Sequence, residues 1–341
     1  MNKMKAIGLY RYLPIDDPES LVDLELDKPT PAGHDLLVNV KAISVNPADA
    51  KVRAPKAQAE DPARILGWDA AGIVEVVGPE CTLFKPGDQV YYAGDFTRPG
   101  SNSEYQLVDE RIVGRKPAKL DFAEAAALPL TTLTAWEGLF DRLGISKQPE
   151  HNQGKSIVII GAAGGVGSIA TQIARRAGLT VIGTASRSET IQWARDHGSD
   201  YVISHRQPFA PQLKQLGFET VDYIFCLNSS AKHWNDMAQV IAPQGKICNI
   251  VELEGPVDLM ALKSKSAAFV WETMSTRSMY QTADMIEQHH LLNTVADLVD
   301  AGKLQTTLTR RISPITAANL REAHALVEKG DMIGKVVLEQ F

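Results

Sequence analysis

Apolar and polar residues along this chain fall into two regimes. Through the first third, short apolar or alternating runs at Lys5–Tyr10, Asp35–Val45, Ala70–Val77 and Gln89–Tyr92 are broken by Pro, Gly and Asp, a pattern that predicts β-strands. Pro29, Pro31 and Gly33, then Lys85-Pro-Gly-Asp88, supply the turns. A small barrel-like β domain is the expectation. From 122 to 144 the spacing turns helical, with a break at Pro129 and a new helix near Thr134. After a polar connector, Gln148–Gly154, the chain alternates. Strands are expected at 157–160, 180–183, 201–203, 221–227 and 246–251, with helices at 189–197, 211–216 and 233–241. That alternation predicts an α/β doubly wound parallel sheet. A helical stretch over 281–301, Pro/Thr turns, a helix over 317–328 and a strand over 335–338 complete the chain.

The alternating region opens on Ser156-Ile-Val-Ile-Ile-Gly-Ala-Ala-Gly-Gly-Val-Gly167. A β-branched run suited to a buried parallel strand leads into Gly161, Gly164, Gly165 and Gly167, and Ile169, Ile173 and Ala177 follow at helical spacing. Glycines here let the backbone turn, admit a pyrophosphate close to the main chain, and let helix and strand pack tightly. The helix N-terminus then presents free N–H groups to the anion. Strand, turn, helix and second strand together point to a dinucleotide site, with Gly161, Ala163, Gly164, Gly165 and Val166 as its contacts. Where an NAD site carries an acid for the ribose hydroxyls, this chain reads Thr184-Ala-Ser-Arg187. A guanidinium and a hydroxyl at Arg187 and Ser186 suit a 2′-phosphate, so NADPH is the expected cofactor.

Length and charge narrow the classes without naming the chemistry. With 341 residues, two domains are expected. Lys and Arg number 35 against 41 Asp and Glu, which disfavours nucleic acid as the main partner. No apolar run reaches membrane-spanning length, and the N-terminus lacks a signal-peptide core. Cys81, Cys226 and Cys248 are too scattered for a disulfide framework or a zinc knuckle. A cytoplasmic protein with no membrane partner is expected.

Several blocks in order carry a family resemblance: Val45-Asn-Pro-Ala-Asp49, Gly67-Trp-Asp-Ala-Ala-Gly-Ile-Val74, Phe84-Lys-Pro-Gly-Asp-Gln-Val90, Leu128-Pro129 with Leu133-Thr-Ala-Trp136, and Gly161-Ala-Ala-Gly-Gly-Val-Gly167. The chain resembles the medium-chain dehydrogenase/reductase superfamily, in its zinc-independent quinone oxidoreductase branch. The resemblance implies a GroES-like catalytic domain from residues 1–129 and 274–341, with a Rossmann domain at 130–273. It also implies NADPH-linked reduction of quinones or α,β-unsaturated carbonyls, in a homodimer or homotetramer that pairs a strand near Ala267–Met274 across its axis. Zinc alcohol dehydrogenases place a cysteine, a histidine and a further cysteine or acid on a catalytic metal. The matching places here hold Asn46, Trp68 and a Leu128–Trp136 stretch without Cys, His, Asp or Glu, and residues 91–115 hold no cysteine for a structural zinc lobe. No metal is expected.

Without a Lewis acid, a conjugated acceptor is the easier substrate, because conjugation spreads the charge that arrives with hydride. Asn46 is the first candidate at the substrate, the alternative being an amide that ties down the Pro47 turn. Lys51 is a candidate proton or hydrogen-bond donor, against a plain solvated lysine. Asp49 reads as structural, pairing with a cation such as Arg53. Trp68, Tyr92 and Trp271 are candidate substrate-pocket residues, with Phe96 beside Tyr92 in one aromatic loop. From the resemblance alone come further cofactor contacts at Thr134, His205, Asn228, Val251 and Lys335. Two other readings stay open: an NADPH-binding redox-sensing or nucleic-acid-binding module with little turnover, and a zinc-type alcohol or aldehyde dehydrogenase.

Overall fold

A computed structural model describes residues 3–341. The chain forms two compact units, one taking the chain up to Leu133 and again from Ser275 to Phe341, the other Thr134–Met274.

The first unit is built on the strand Asp35–Val45. One edge of it pairs antiparallel with Ala70–Val77. Its other edge carries Tyr105–Asp109 along the first half and Lys335–Glu339 along the last residues, also antiparallel. The sheet runs in the order Leu308–Ile312, Lys335–Glu339, Asp35–Val45, Ala70–Val77, Gln89–Tyr92, Val113–Arg115. A smaller sheet orders Val22–Asp27, Lys3–Tyr12 and Lys56–Ile65. The strands expected at 35–45, 70–77 and 89–92 are those found, because one face of each is buried and the apolar pattern is enforced. The strands at 22–27, 56–65, 105–109, 113–115 and 308–312 carry no such signal. Lys56–Ile65, for instance, is a largely exposed edge strand rich in charge and containing Pro62, which an edge tolerates. The helix expected over 281–301 is found as Glu287–Asp300; it starts later than expected, after a separate short helix Thr276–Met279 and Gln281 in left-handed backbone (φ 48).

The second unit is a six-stranded, all-parallel sheet. Its order is Tyr201–Ile203, Thr180–Thr184, Ser156–Ile160, Val221–Cys226, Ile241–Asn249, Ala268–Trp271. The strand order reverses direction on either side of Ser156–Ile160, every residue of which is buried. Val158, Ile160 and Ile224 pack with Phe209, Trp234 and Met237 from the covering helices. Lys265 closes the C-terminus of the helix Ser230–Val240, its ammonium donating to the carbonyls of Ala238, Gln239 and Ile241 at 2.9, 2.6 and 2.8 Å. Cys226 and Cys248 lie inside strands, and burial pushes the Cys226 thiol up to about 12, so both are inert packing residues. Among the described residues no helix is long and apolar enough to cross a membrane.

The glycine turn shows how tightly the second unit is built. A Cβ on Gly167 would lie 2.2 Å from the Gly161 carbonyl oxygen, whereas one on Gly164 would meet only that oxygen, at 3.5 Å. Gly167→Ala is therefore expected to lower unfolding free energy by about 1–3 kcal/mol, and Gly164→Ala by less than about 0.5 kcal/mol. Urea denaturation of the two variants checks the contrast.

Candidate active site

Three strand ends meet in the first unit. Register places Val336 opposite Val45, so Lys335 begins its strand beside Asn46 as the neighbouring strand ends. On the other side Ile43 pairs with Ala70, and the Ser44 N–H donates to the Asp69 carbonyl at 3.1 Å, which brings Asp69 level with the same end. Asn46, Asp69 and Lys335 are all almost fully buried.

A buried ammonium must use its donors, and this one does. Lys335 Nζ donates to the Val45 carbonyl at 3.2 Å, to Asp69 Oδ2 at 3.0 Å and to Asn46 Oδ1. Asn46 Nδ2 in turn donates to Asp69 Oδ2 at 2.8 Å, and the Leu130 N–H donates to Asp69 Oδ1 at 2.8 Å. Asp49, one turn into the helix Pro47–Arg53, accepts the Asn46 backbone N–H at 2.8 Å. Burial dominates both acids and raises them: Asp69 sits above its ordinary range and Asp49 reaches about 7, despite the lowering pull of Lys335. Two carboxyls thus depend on one lysine. The expected Asp49–Arg53 pairing is not what forms. Arg53 turns to Glu328 and to the Leu13 carbonyl, because helix Ala317–Glu328 packs on that side and presents its last acid there.

The aromatic candidates divide. Trp68 is buried and stacks on Phe96, ring centroids 4.1 Å apart and nearly parallel. Tyr92 is fully buried, its hydroxyl has no hydrogen-bond partner, and burial holds its phenol far above the ordinary value. Trp271 belongs to the second unit, ends its last strand, and is 49% exposed. Lys51 lies on the exposed side of helix Pro47–Arg53.

In the second unit the cofactor candidates gather at the carboxyl ends of the parallel strands, where this topology binds ligands. Gly161 follows Ser156–Ile160 with φ +88, a conformation that favours glycine, and its N–H donates to Thr184 Oγ1 at 3.0 Å. Asn228, after Val221–Cys226, packs against it, its Nδ2 3.0 Å from where a Gly161 Cβ would stand. Gly164 caps the helix Gly165–Arg176, and Gly164, Gly165 and Val166 are partly exposed, leaving the first helical N–H groups open to an anion. Ala163 is more buried, at 6% exposure. Ser186 and Arg187 follow Thr180–Thr184, His205 follows Tyr201–Ile203, and Val251 lies two residues past Ile241–Asn249, where its carbonyl accepts Asn249 Nδ2 at 2.6 Å. Arg187 is partly exposed and pairs with Glu189 at 3.2 Å. Burial lowers His205, and the cations Arg206 and Lys232 add to the effect. Thr134 starts the unit and is buried. Lys335 belongs to the first unit, where it bonds to Asn46 and Asp69.

Thr184 was not among the candidates, although a hydroxyl at a strand end beside a glycine turn signals a side chain that holds the turn. Asp69 was not one either. A carboxylate inside the otherwise apolar Gly67–Val74 run is the sign of a buried charge, and only the fold shows its partner.

The residues suit a nicotinamide dinucleotide: an open glycine turn, a helix N-terminus behind it and polar groups around the strand ends. They do not suit a catalytic zinc. Among the described residues no group of three or more His, Cys, Asp or Glu could hold a metal, and the oxygens of Asp69 and Asn46 are already bonded to N–H donors. The fold is that of a GroES-like unit joined to a Rossmann-like unit with a parallel sheet. Comparison with known proteins agrees. An alcohol dehydrogenase GroES-like domain model matches residues 32–120, and a zinc-binding dehydrogenase model matches 197–338. A zinc-type alcohol dehydrogenase-like protein of Staphylococcus aureus (strain Mu50) is 46% identical over 98% of this chain and 99% of its own. The crystal structure of a Rhizobium etli CFN 42 protein named for zinc-dependent alcohol dehydrogenases aligns with a TM-score of 0.96 at 53% identity, covering 100% of this chain and 99% of that one. The Escherichia coli quinone oxidoreductase complexed with NADPH shares the fold, with a TM-score of 0.80 at 23% identity over 98% of this chain and 99% of that one. The chain belongs to the medium-chain dehydrogenase/reductase superfamily.

The acid pair gives a pH dependence of known sign. Asp49 keeps its proton in the fold up to about 7, while an unfolded aspartate loses it near ~3.9. Its contribution is therefore full below the unfolded value and declines as pH rises toward 7, by about 1.4 kcal/mol per pH unit at most. Asp49→Asn, which keeps an oxygen for the Asn46 N–H, is expected to flatten unfolding free energy against pH between 4 and 7. Denaturant unfolding across that range is the measurement.

Proposed function

We propose that this protein is an NADPH-dependent oxidoreductase that reduces quinones or α,β-unsaturated carbonyls without a metal. The observation that carries this reading is the Asn46–Asp69–Lys335 network. It engages Asn46, which by the resemblance stands at one of the places that hold the Lewis acid in zinc enzymes of the superfamily, and leaves that amide bonded to an ammonium and a carboxylate. A simple alcohol or aldehyde needs that Lewis acid, and a conjugated acceptor does not. The nicotinamide supplies hydride when bound.

This chain's residues would do the remaining work. Gly164 to Val166 would receive the pyrophosphate on main-chain N–H groups, and Ser186 with Arg187 would bind the 2′-phosphate. Because Glu189 already pairs with Arg187, the phosphate must compete with a carboxylate for the guanidinium, so the preference for NADPH should be finite rather than absolute. Asn46 would donate a hydrogen bond to the acceptor's carbonyl oxygen as negative charge builds there. Lys51 or solvent would deliver the proton that completes a two-electron reduction.

Cofactor oxidation should be followed with 1,4-benzoquinone, 9,10-phenanthrenequinone, an alkenal and a simple aldehyde, with and without chelator. Chelator-insensitive turnover of the conjugated acceptors is expected. Chelator-sensitive aldehyde reduction would reject the reading, and cofactor binding without turnover would favour a sensor. Arg187→Ala is expected to raise KM for NADPH by about 10- to 100-fold, the equivalent of one charge-assisted hydrogen bond, with little change for NADH. Equal changes for both cofactors would remove Arg187 from the 2′-phosphate.

A further inference from the structure

The chain enters the second unit at Thr134 and leaves it after Met274, and close to each crossing it buries an acid. Glu137 lies just past the helix Pro129–Trp136. Glu272 directly follows the edge strand Ala268–Trp271, its N–H donating to the Asn249 carbonyl at 3.0 Å. Arg142 is shared between them: its Nε donates to Glu272 Oε2 at 2.8 Å, and its Nη2 lies 3.8 Å from Glu137 Oε2. The backbone is shaped for this meeting. Residues five apart on an α-helix point about 140° away from each other. Glu137–Arg142 is instead a π turn, in which the Leu143 N–H donates to the Gly138 carbonyl at 3.0 Å, and such i→i+5 bonding brings residues 137 and 142 nearly into line. Gly138 lets the turn press on the sheet, since a Cβ there would lie 2.4 Å from the Phe225 ring.

The Glu137 and Glu272 carboxyls are also hydrogen-bonding partners of each other. Two ionised carboxylates hold no donor, so that bond exists only while one of them keeps a proton. Glu272 Oε1 is buried and receives no N–H or hydroxyl among the described residues, which leaves it for the shared proton. Burial first, then the charge of Glu137, push the Glu272 carboxyl up to about 8, against the pull of Arg142. From strand Ile241–Asn249 the group bearing on it is Cys248, whose thiol is held neutral by burial and by Glu272 itself. Lys246 of the same strand sits by Gly144, its Nζ 3.1 Å from where a Cβ there would stand.

We propose that Glu137, Arg142 and Glu272 form a proton-held clasp that fastens the two chain crossings of the second unit to each other, closed while one carboxyl keeps its proton and released when both ionise. With the proton in place, one carboxylate, one carboxylic acid and one guanidinium sum to zero charge. When the proton passes to solvent, two carboxylates face each other out of water across one cation, and the turn carrying Glu137 has to draw away from Glu272. The sensitivity is opposite to that of an ordinary ion pair, which rising pH completes. Here rising pH opens the contact. The clasp stands apart from the reading of cofactor and substrate above.

Hydrogen exchange of the full-length protein, expressed as protection relative to an unstructured peptide at the same pH, reads the clasp without turnover. Between about pH 7 and pH 9.5 the protection of the Leu143 and Glu272 N–H groups is expected to fall by at least about tenfold, while the amides of Ser156–Ile160 keep theirs. An infrared band from a protonated carboxyl is expected at the lower pH and lost at the higher. Glu272→Gln and Glu137→Gln each replace the shared proton by an amide N–H that does not titrate. Both variants are expected to hold their protection across the whole range and to lack the titrating band, and having two guards against one failing to fold. Wild-type protection that does not change with pH would overturn the clasp, as would a loss that persists in both Gln variants. Protection lost from Ser156–Ile160 in step with Leu143 and Glu272 would overturn it too, since that marks general alkaline unfolding.

Discussion

Lys335 ends up where three strands stop together, carrying a charge that water cannot reach. Taking an ammonium from water into such a place costs several kcal/mol unless its donors are met, and removing one member of a buried pair typically costs about 3–5 kcal/mol. Its donors are met by one backbone carbonyl, one amide and one carboxylate. Those contacts tie the last strand of the chain to Asn46 after the third strand and to Asp69 before the fifth. The N-terminal and C-terminal segments of the first unit are thereby held to each other by polar bonds as well as by the sheet. Asp49 lies close enough to feel the same cation, but burial outweighs that pull and, with Asp69 adding a smaller push, raises its carboxyl to about 7.

The second unit solves a different problem. Its central strands Ser156–Ile160 and Thr180–Thr184 are buried almost throughout, so polar groups there that can meet a ligand gather at the strand ends. Gly161, Thr184, His205, Asn228 and Val251 stand at the ends of five different strands, yet the sheet order brings them to one edge. Gly167 is needed because the helix backbone comes within a Cβ's reach of the Gly161 carbonyl. Gly164 and Gly165 leave the helix N-terminus uncovered. Just past the last parallel strand the same unit buries Glu272, with Glu137, around Arg142, which donates to Glu272 at 2.8 Å. Burial and the neighbouring Glu137 push the Glu272 carboxyl up to about 8.

Relatives of this chain are named for zinc, and the reason a name can outrun the residues is physical. The fold depends on the sheet pairings and the glycine turn, which survive when ligands are replaced. A tetrahedral zinc site depends on three or four particular side chains. Here Asn46 and Trp68 stand where ligands would be needed: one is bonded to Lys335 and Asp69, and the other is stacked on Phe96.

The sequence alone determined the strands whose faces are buried, the glycine turn and the superfamily, since each rests on local periodicity or on residues close together in the chain. It missed strands such as Lys56–Ile65, because an exposed edge places no apolar demand on its residues. It also paired Asp49 with Arg53, the neighbour one helical turn away, whereas a helix more than 260 residues further on supplied Glu328 instead. Only the tertiary structure decided what Lys335 does. Nothing near residue 335 in the chain reveals that its ammonium will meet residues 46 and 69, because that meeting is a matter of strand order and register, and a buried charge takes its meaning from whatever the fold places beside it.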